Sequence, residues 1–158
     1  MMRIGQSTDI HQLAAGRRLV LGGVEIPYAK GLVGHSDADV LTHAITEAII
    51  GALGLGDLGT FFPDSDDRYK DICSLLLLDR IVTRMEQAGY AVVNVDSLVL
   101  MESPRLHPHI QAMRECLASH LHCTPDQVNV KATTGEKLGF VGQGLGVEAQ
   151  AVVLLDRR

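Results

Sequence analysis

The sequence predicts an α/β (α+β) single domain over residues 1–158, with helices covering one face of a four-stranded sheet and a small β-hairpin beside it. Three observations predict it. Strand-like and helix-like segments alternate along all 158 residues. No internal repeat, low-complexity tract or linker divides them. Hydrophobic residues at 46% and charged residues at 21% suit one buried core, and aromatics at only 4%, without Trp, make that core aliphatic.

In chain order, Arg3 to His11 reads as the first strand. Arg18 to Pro27 holds two short apolar runs around Gly22-Gly23, a hairpin signal, with Pro27 ending the second run. From Asp37 apolar residues recur at three and four (Val40, Leu41, Ala44, Ile45, Ala48, Ile49, Leu53), so a helix is expected with Ser36 or Asp37 as its N-cap and Gly54 closing it. Asp57 to Tyr69 is polar and Asp-rich and reads as a long loop, a length that is usually functional. A second helix is expected from Asp71 to about Ala88 with Gly89 after it, then a strand from Val92 to Met101. A Pro-rich turn leads to a third helix over His109–His122. Val128–Thr133 and Gly146–Leu155 are the last strands, separated by a Gly-rich turn. Helices on one side leave the other sheet face uncovered, and oligomerisation is the plain solution.

The charge balance excludes some functions. Fourteen Lys+Arg against nineteen Asp+Glu give a net charge of -5, which argues against nucleic-acid binding, since that needs a basic face. No apolar run reaches membrane-spanning length and no signal pattern opens the chain, so a cytoplasmic protein is expected. Cys73, Cys116 and Cys123 are odd in number and form no Cys-x-x-Cys pair; they read as reduced, buried small hydrophobes.

Asp9 and His11 lie two apart on a strand and so share a face. His43 sits on the first helix, with Asp39 four residues earlier as a candidate supporting partner and His35 further upstream. A carboxylate and two imidazoles make a three-ligand zinc site with an open fourth position, as catalytic zinc requires. Spacing alone leaves open which of these ligate. His35-Ser36-Asp37 at a helix start offers donors to an anion, and simple capping is the competing reading. Lys131 to Phe140 follows a strand with two hydroxyls (Thr133, Thr134), two lysines and Glu136. It lacks nucleotide P-loop spacing, and a turn with a capping Glu competes there.

Taken together, the chain resembles the 2-C-methyl-D-erythritol 2,4-cyclodiphosphate synthase family of the non-mevalonate isoprenoid pathway. The resemblance rests on Asp9-Ile10-His11, Gly22 to Pro27, Gly31 to Val40 with His43, Gly56 to Gly59, Phe62 to Asp66, and Asn129 to Phe140. It implies a mixed sheet and a homotrimer with active sites between subunits, acting on a nucleotide substrate. It implies one zinc ion per subunit on Asp9, His11 and His43, and a second divalent cation, magnesium or manganese, on Glu136. His35 and Thr134 would stabilise the transition state. Asp9, Ile10, His11, His35 and Ser36 would contact the substrate, and its methylerythritol portion and 2-phosphate would meet Asp57, Leu58 and Gly59, then Phe62, Pro63, Asp64, Ser65 and Asp66. Cytidine would meet Met101, Glu102, Ser103, Pro104, Arg105, Leu106 and His107. Thr133, Thr134, Gly135 and Glu136, with Phe140, would close the nucleotide side, and Gln143 would be a further substrate contact. Gly135 departs from a common Thr or Ser, Arg105 from Lys, and Gln143 and Leu145 from Arg and Glu. A zinc phosphohydrolase, separated from the cyclase reading by its uncyclised product, and a non-catalytic metal-holding trimeric scaffold, separated by bound metal without turnover, are the alternatives.

Overall fold

The computed structural model describes residues 1–158. Four strands stand where the sequence predicts them, most of them longer: β1 (Arg3–Ala15), β5 (Tyr90–Leu100), β6 (Val128–Thr133) and β7 (Gly146–Arg157). The sheet has five strands rather than four, because β4 (Lys30–Leu32) joins it, in the order β4-β1-β7-β5-β6. Three residues centred on Gly31 are too few to show alternation. The strand forms because β1 runs past His11 and offers Leu13–Ala15 for pairing, Leu13 opposite Leu32 and Ala15 opposite Lys30. The sheet is mixed: β7 is antiparallel to β1 and to β5, while β5 and β6 are parallel, joined through α4 (Ile110–His120). The hairpin β2 (Leu19–Leu21) and β3 (Val24–Ile26) stands apart, its turn built on Gly22 and Gly23 at φ 58 and 74. That double positive φ is why Gly-Gly signals a tight hairpin.

Helices α1 (Val40–Leu53), α3 (Ser74–Gln87) and α4 lie over one sheet face. Alternate residues of β7 (Val147, Ala149, Ala151, Val153, Leu155) are buried beneath them. α1 is buried on nearly every side. It lies on β1 with backbone against backbone, since a Cβ on Gly5 would stand 1.8 Å from the carbonyl oxygen of Ala48. The opposite sheet face is open: Ile4, Ile10 and Val152 are 71%, 52% and 40% exposed. No helix is long and apolar enough to cross a membrane.

The start of α1 corrects the expected capping. Asp39, not Ser36 or Asp37, is the N-cap; its carboxylate accepts from the Thr42 N–H (3.0 Å) and hydroxyl (2.7 Å). It also accepts from the N–H groups of Gly22 and Gly23 at 2.9 and 2.7 Å, tying the hairpin turn to the helix. Burial pushes its carboxyl up, and those same bonds oppose the shift. Asp39 is therefore spent on the fold and is not the supporting partner of His43 that its spacing predicts. The expected 57–69 loop contains a short helix, α2 (Leu58–Phe61), and a single 3-10 turn at Asp67–Tyr69, pinned by the edge-to-face contact of buried Phe62 and Tyr69. The turn before β7 folds into α5 (Gly139–Gly142). The cysteines are free, as expected, but none is fully buried, and Cys73 is exposed.

Candidate metal centre and active site

Strand periodicity puts Asp9 and His11 on the covered face of β1, and α1 lays His43 against them. The Asp9 Oδ2 is 3.0 Å from His11 Nε2 and 3.2 Å from His43 Nδ1, and the two ring nitrogens are 3.3 Å apart. Ligands bound 2.0–2.1 Å from a tetrahedral zinc stand about 3.3 Å from one another, so this triangle already has the size the ion needs. His11 is oriented from behind, its Nδ1 donating to the carbonyl of Val33 at 2.7 Å, which leaves Nε2 bare toward the cluster. No other group of His, Cys, Asp and Glu converges in this way.

The electrostatics fit a cation-binding point. Burial works to raise the Asp9 carboxyl, but hydrogen bonds and charge from His11 and His43 outweigh it and hold the group well below the carboxylate range. Burial works to lower His11, and the bond to Asp9 and its charge reverse that. The signs give a pH dependence for the metal-free protein. His11, raised above its ordinary 6.5, stabilises the fold fully below that pH and loses its contribution as pH rises through the raised value. Asp9, depressed below 3.8, contributes above that pH and loses it as pH falls. With chelator present, thermal melting is expected at a higher temperature near pH 6 than near pH 8; zinc, which needs a deprotonated His11, should reverse that slope in the same assay.

A cavity of about 390 Å³ opens beside the three ligands. It collects His35, Ser36, Leu58, Gly59, Phe62 and Asp64 from the predicted residues. His35 is tied to the loop through its Nε2, 3.1 Å from the carbonyl of Asp66. The Ser36 hydroxyl turns inward, accepting from the Ala38 N–H at 3.1 Å and lying 3.1 Å from His43 Nε2. Ile10 points to the open sheet face, Asp57 caps α2 through Thr60, and Asp66 pairs with Arg68. Pro63 and Ser65 are exposed and do not line the cavity. Val33, Gly34, Glu47, Tyr69 and Leu77 also line the cavity and escaped the sequence reading; of these Glu47 accepts from the Ser7 hydroxyl and, at 3.2 Å, from the Leu58 N–H, anchoring α2 over the site. Its signal was available, as the lone charged residue of α1, one turn after His43.

The residues expected on the nucleotide side lie elsewhere. A second cavity, about 170 Å³, is lined by Met101, Glu102 and Pro104 to His107 on one side and Ala132 to Thr134 on the other. Glu102 accepts from the Gly135 N–H at 3.0 Å. A Cβ on Gly135 would meet the backbone nitrogen of Gly142 at 2.7 Å, so this turn closes without room for a side chain at 135. Thr134 donates to Glu136 at 3.2 Å, and Glu136 is exposed. Ser103, Phe140 and Gln143 are exposed and line neither cavity. The two cavities share no residue. β1 and β6 are separated by two strands, about 14 Å at ordinary strand spacing, so one chain does not bring His35 and Thr134 together.

A family model described as the YgbB family matches residues 2–156. A 2-C-methyl-D-erythritol 2,4-cyclodiphosphate synthase from Syntrophomonas wolfei is 56% identical over 156 residues, covering 99% of each chain. Among solved structures, a Plasmodium falciparum IspF in complex with CDP is 32% identical with a TM-score of 0.88, covering 99% of this chain and 97% of that one. The bifunctional IspDF of Campylobacter jejuni is 39% identical with a TM-score of 0.96; the match takes in all of this chain and 43% of that one.

Proposed function

This chain belongs to the YgbB family, and on that premise we propose that Asp9, His11 and His43 hold one catalytic zinc ion per subunit. The chain is a lyase of isoprenoid precursor synthesis. It converts 4-diphosphocytidyl-2-C-methyl-D-erythritol 2-phosphate into 2-C-methyl-D-erythritol 2,4-cyclodiphosphate and CMP. The 2-phosphate oxygen attacks the β-phosphorus, and CMP leaves with the electron pair of the broken P–O bond. The nucleophile is already an anion, so the protein's work is charge neutralisation and placement. When bound by these three residues, the ion would supply positive charge and Lewis acidity toward a phosphoryl oxygen.

The surrounding residues divide the remaining work. His35, held by the Asp66 carbonyl at the cavity edge, presents its imidazole to the transferring phosphoryl group, and Thr134 offers a hydroxyl to the same group. Asp57, Leu58 and Gly59, with Phe62 to Asp66, surround the methylerythritol portion. Met101 to His107 hold the cytidine, and Thr133 to Glu136, with Phe140 and Gln143, close the phosphate side. Glu136 would hold the second cation, magnesium or manganese, which would supply further positive charge to the substrate's phosphates.

Two separate cavities in one chain favour a site shared between subunits, one lending the metal half and its neighbour the cytidine half. The open sheet face, with exposed Ile4, Ile10 and Val152, favours the same assembly, which we take to be a homotrimer. Three free thiols suit a cytoplasmic protein.

The observation that carries the mechanism is the meeting of the three ligand atoms on β1 and α1. Phosphorus NMR of enzyme with substrate should show CMP and the cyclic diphosphate. Turnover should stop with a chelator and return with zinc, and sedimentation should give three times 17.1 kDa. An uncyclised bisphosphate would favour the hydrolase, and unchanged turnover under chelation would remove the zinc from the mechanism.

A further inference from the structure

The imidazole of His43 has two nitrogens, and only one faces the cluster. Nδ1 lies against Asp9 and His11, while Nε2 points into the protein, 2.8 Å from the hydroxyl of Ser74. Ser74 is the first residue of α3, and its hydroxyl donates in turn to the carboxylate of Asp37. We infer that Ser74 and Asp37 are positioning residues that hold His43 as the Nε2–H tautomer, so that the Nδ1 lone pair faces the metal; the inference rests on the metal reading above.

The case is one of counting protons. A serine hydroxyl has a single proton and lone pairs that accept, whereas a carboxylate only accepts. Asp37 takes the Ser74 hydroxyl proton on one oxygen and the Ser74 backbone N–H, at 3.1 Å, on the other. With its proton committed to Asp37, the Ser74 oxygen can only accept from His43, so the hydrogen must be on Nε2. The Ser36 hydroxyl lies 3.1 Å from the same nitrogen and 3.5 Å from the Ser74 oxygen, so it can turn its own proton to Ser74 and accept from Nε2 as a second, longer partner. Ser36 and Ser74 are 6% and 1% exposed, so bulk water does not compete at this nitrogen. The opposite tautomer would put hydrogen on Nδ1, where it can donate to Asp9 only while the ion is absent, and would leave a bare Nε2 beside an oxygen whose proton is already given away.

The backbone keeps this chain in register. The Asp37 N–H donates to the carbonyl of Ile72 at 3.0 Å, and the Asp71 N–H to that of His35 at 2.7 Å. The His35-Ser36-Asp37 segment is thereby laced to the start of α3. Cys73, the N-cap of α3, makes no side-chain cap bond, and Asp37 takes that place from across the loop. Asp37 thus serves a different helix from the one its position in the sequence predicts, and through Ser74 it reaches the metal centre.

The test combines long-range proton–nitrogen NMR of imidazole-labelled protein with zinc competition against a chromogenic chelator. It uses the full chain as wild type, S74A, D37N and T46A. The wild type should show His43 as Nε2–H both without metal and with it. S74A should mix the two tautomers without metal and weaken zinc binding about 10–100-fold, the usual cost of losing a bond behind a ligating histidine. D37N should weaken it in the same direction, because the one amide oxygen cannot accept from both the N–H and the hydroxyl of Ser74. T46A, which removes a buried hydroxyl bonded only to the carbonyl of Thr42, should stay within about twofold of wild type and controls for destabilisation. The wild-type tautomer decides the matter even where S74A fails to fold. His43 found as Nδ1–H, or S74A and D37N both binding zinc like wild type, overturns the inference and leaves the metal reading intact. A wild type that takes up no zinc overturns both.

Discussion

His43→Ala is expected to abolish stoichiometric zinc and to lower CMP release by at least about three orders of magnitude. The loss is large because the ligand cannot be replaced from nearby. Glu47, one turn along α1, is already held by Ser7 and Leu58, and Asp39 is consumed by the Gly22 and Gly23 turn. Two ligands on one strand, Asp9 and His11, then remain, and they bind a dication weakly. The reaction asks for one phosphate to approach another, which is the step least able to proceed without positive charge. A variant that keeps one zinc per chain, or turns over within about tenfold of wild type, would exclude His43 from the centre. The fold should survive: β1 and β7 stay paired over ten rungs, and α1 keeps its apolar contacts.

What the sequence disclosed follows from the range of its signals. The four long strands and three long helices were legible because each repeats its pattern over several turns or pleats. β4 was not, since three residues carry no period. Asp9 and His11 were legible as a pair because two residues on a strand must share a face. The same logic failed for Asp39 and His43. Four residues apart on a helix also share a face, but Asp39 is the cap, outside the helix, and its carboxylate turns to the hairpin. Ser74 was invisible: it meets His43 only after α3 has been laced to residues 35–37, a contact across 31 positions that no local pattern announces. No periodicity or spacing announced the separation of the two cavities, because it depends on strand order, with β7 and β5 inserted between β1 and β6.

The meeting of strand and helix that makes the centre depends on a residue with no side chain. Three rungs join β1 to α1: Gly5 beneath Ala48 and Ala52, Ser7 bonded to Glu47, and Asp9 against His43. At the first rung a Cβ would stand 1.8 Å from the Ala48 oxygen and 2.7 Å from the Ala52 nitrogen, so both obstacles are backbone and neither can swing aside. Gly5→Ala must therefore lift the helix by more than about 1 Å, at a cost near the top of the roughly 1–3 kcal/mol range for overpacking. For a chain of this size that lowers the melting temperature by about 5–10 °C. The lift also reaches the third rung, where ligand separations of 3.0–3.3 Å leave no slack, so zinc affinity should fall at least about tenfold as well. Gly51→Ala separates this from a general effect of adding a methyl group to the packing of α1. Its Cβ would meet nothing within 4 Å, on the exposed side of the helix, and alanine is the better helix former by roughly 0.5–1 kcal/mol. That variant should melt at the same or a higher temperature and bind zinc unchanged. Equal behaviour of the two, read by calorimetry and zinc titration, would mean that the close approach at Gly5 does not set the distance between His43 and its partners.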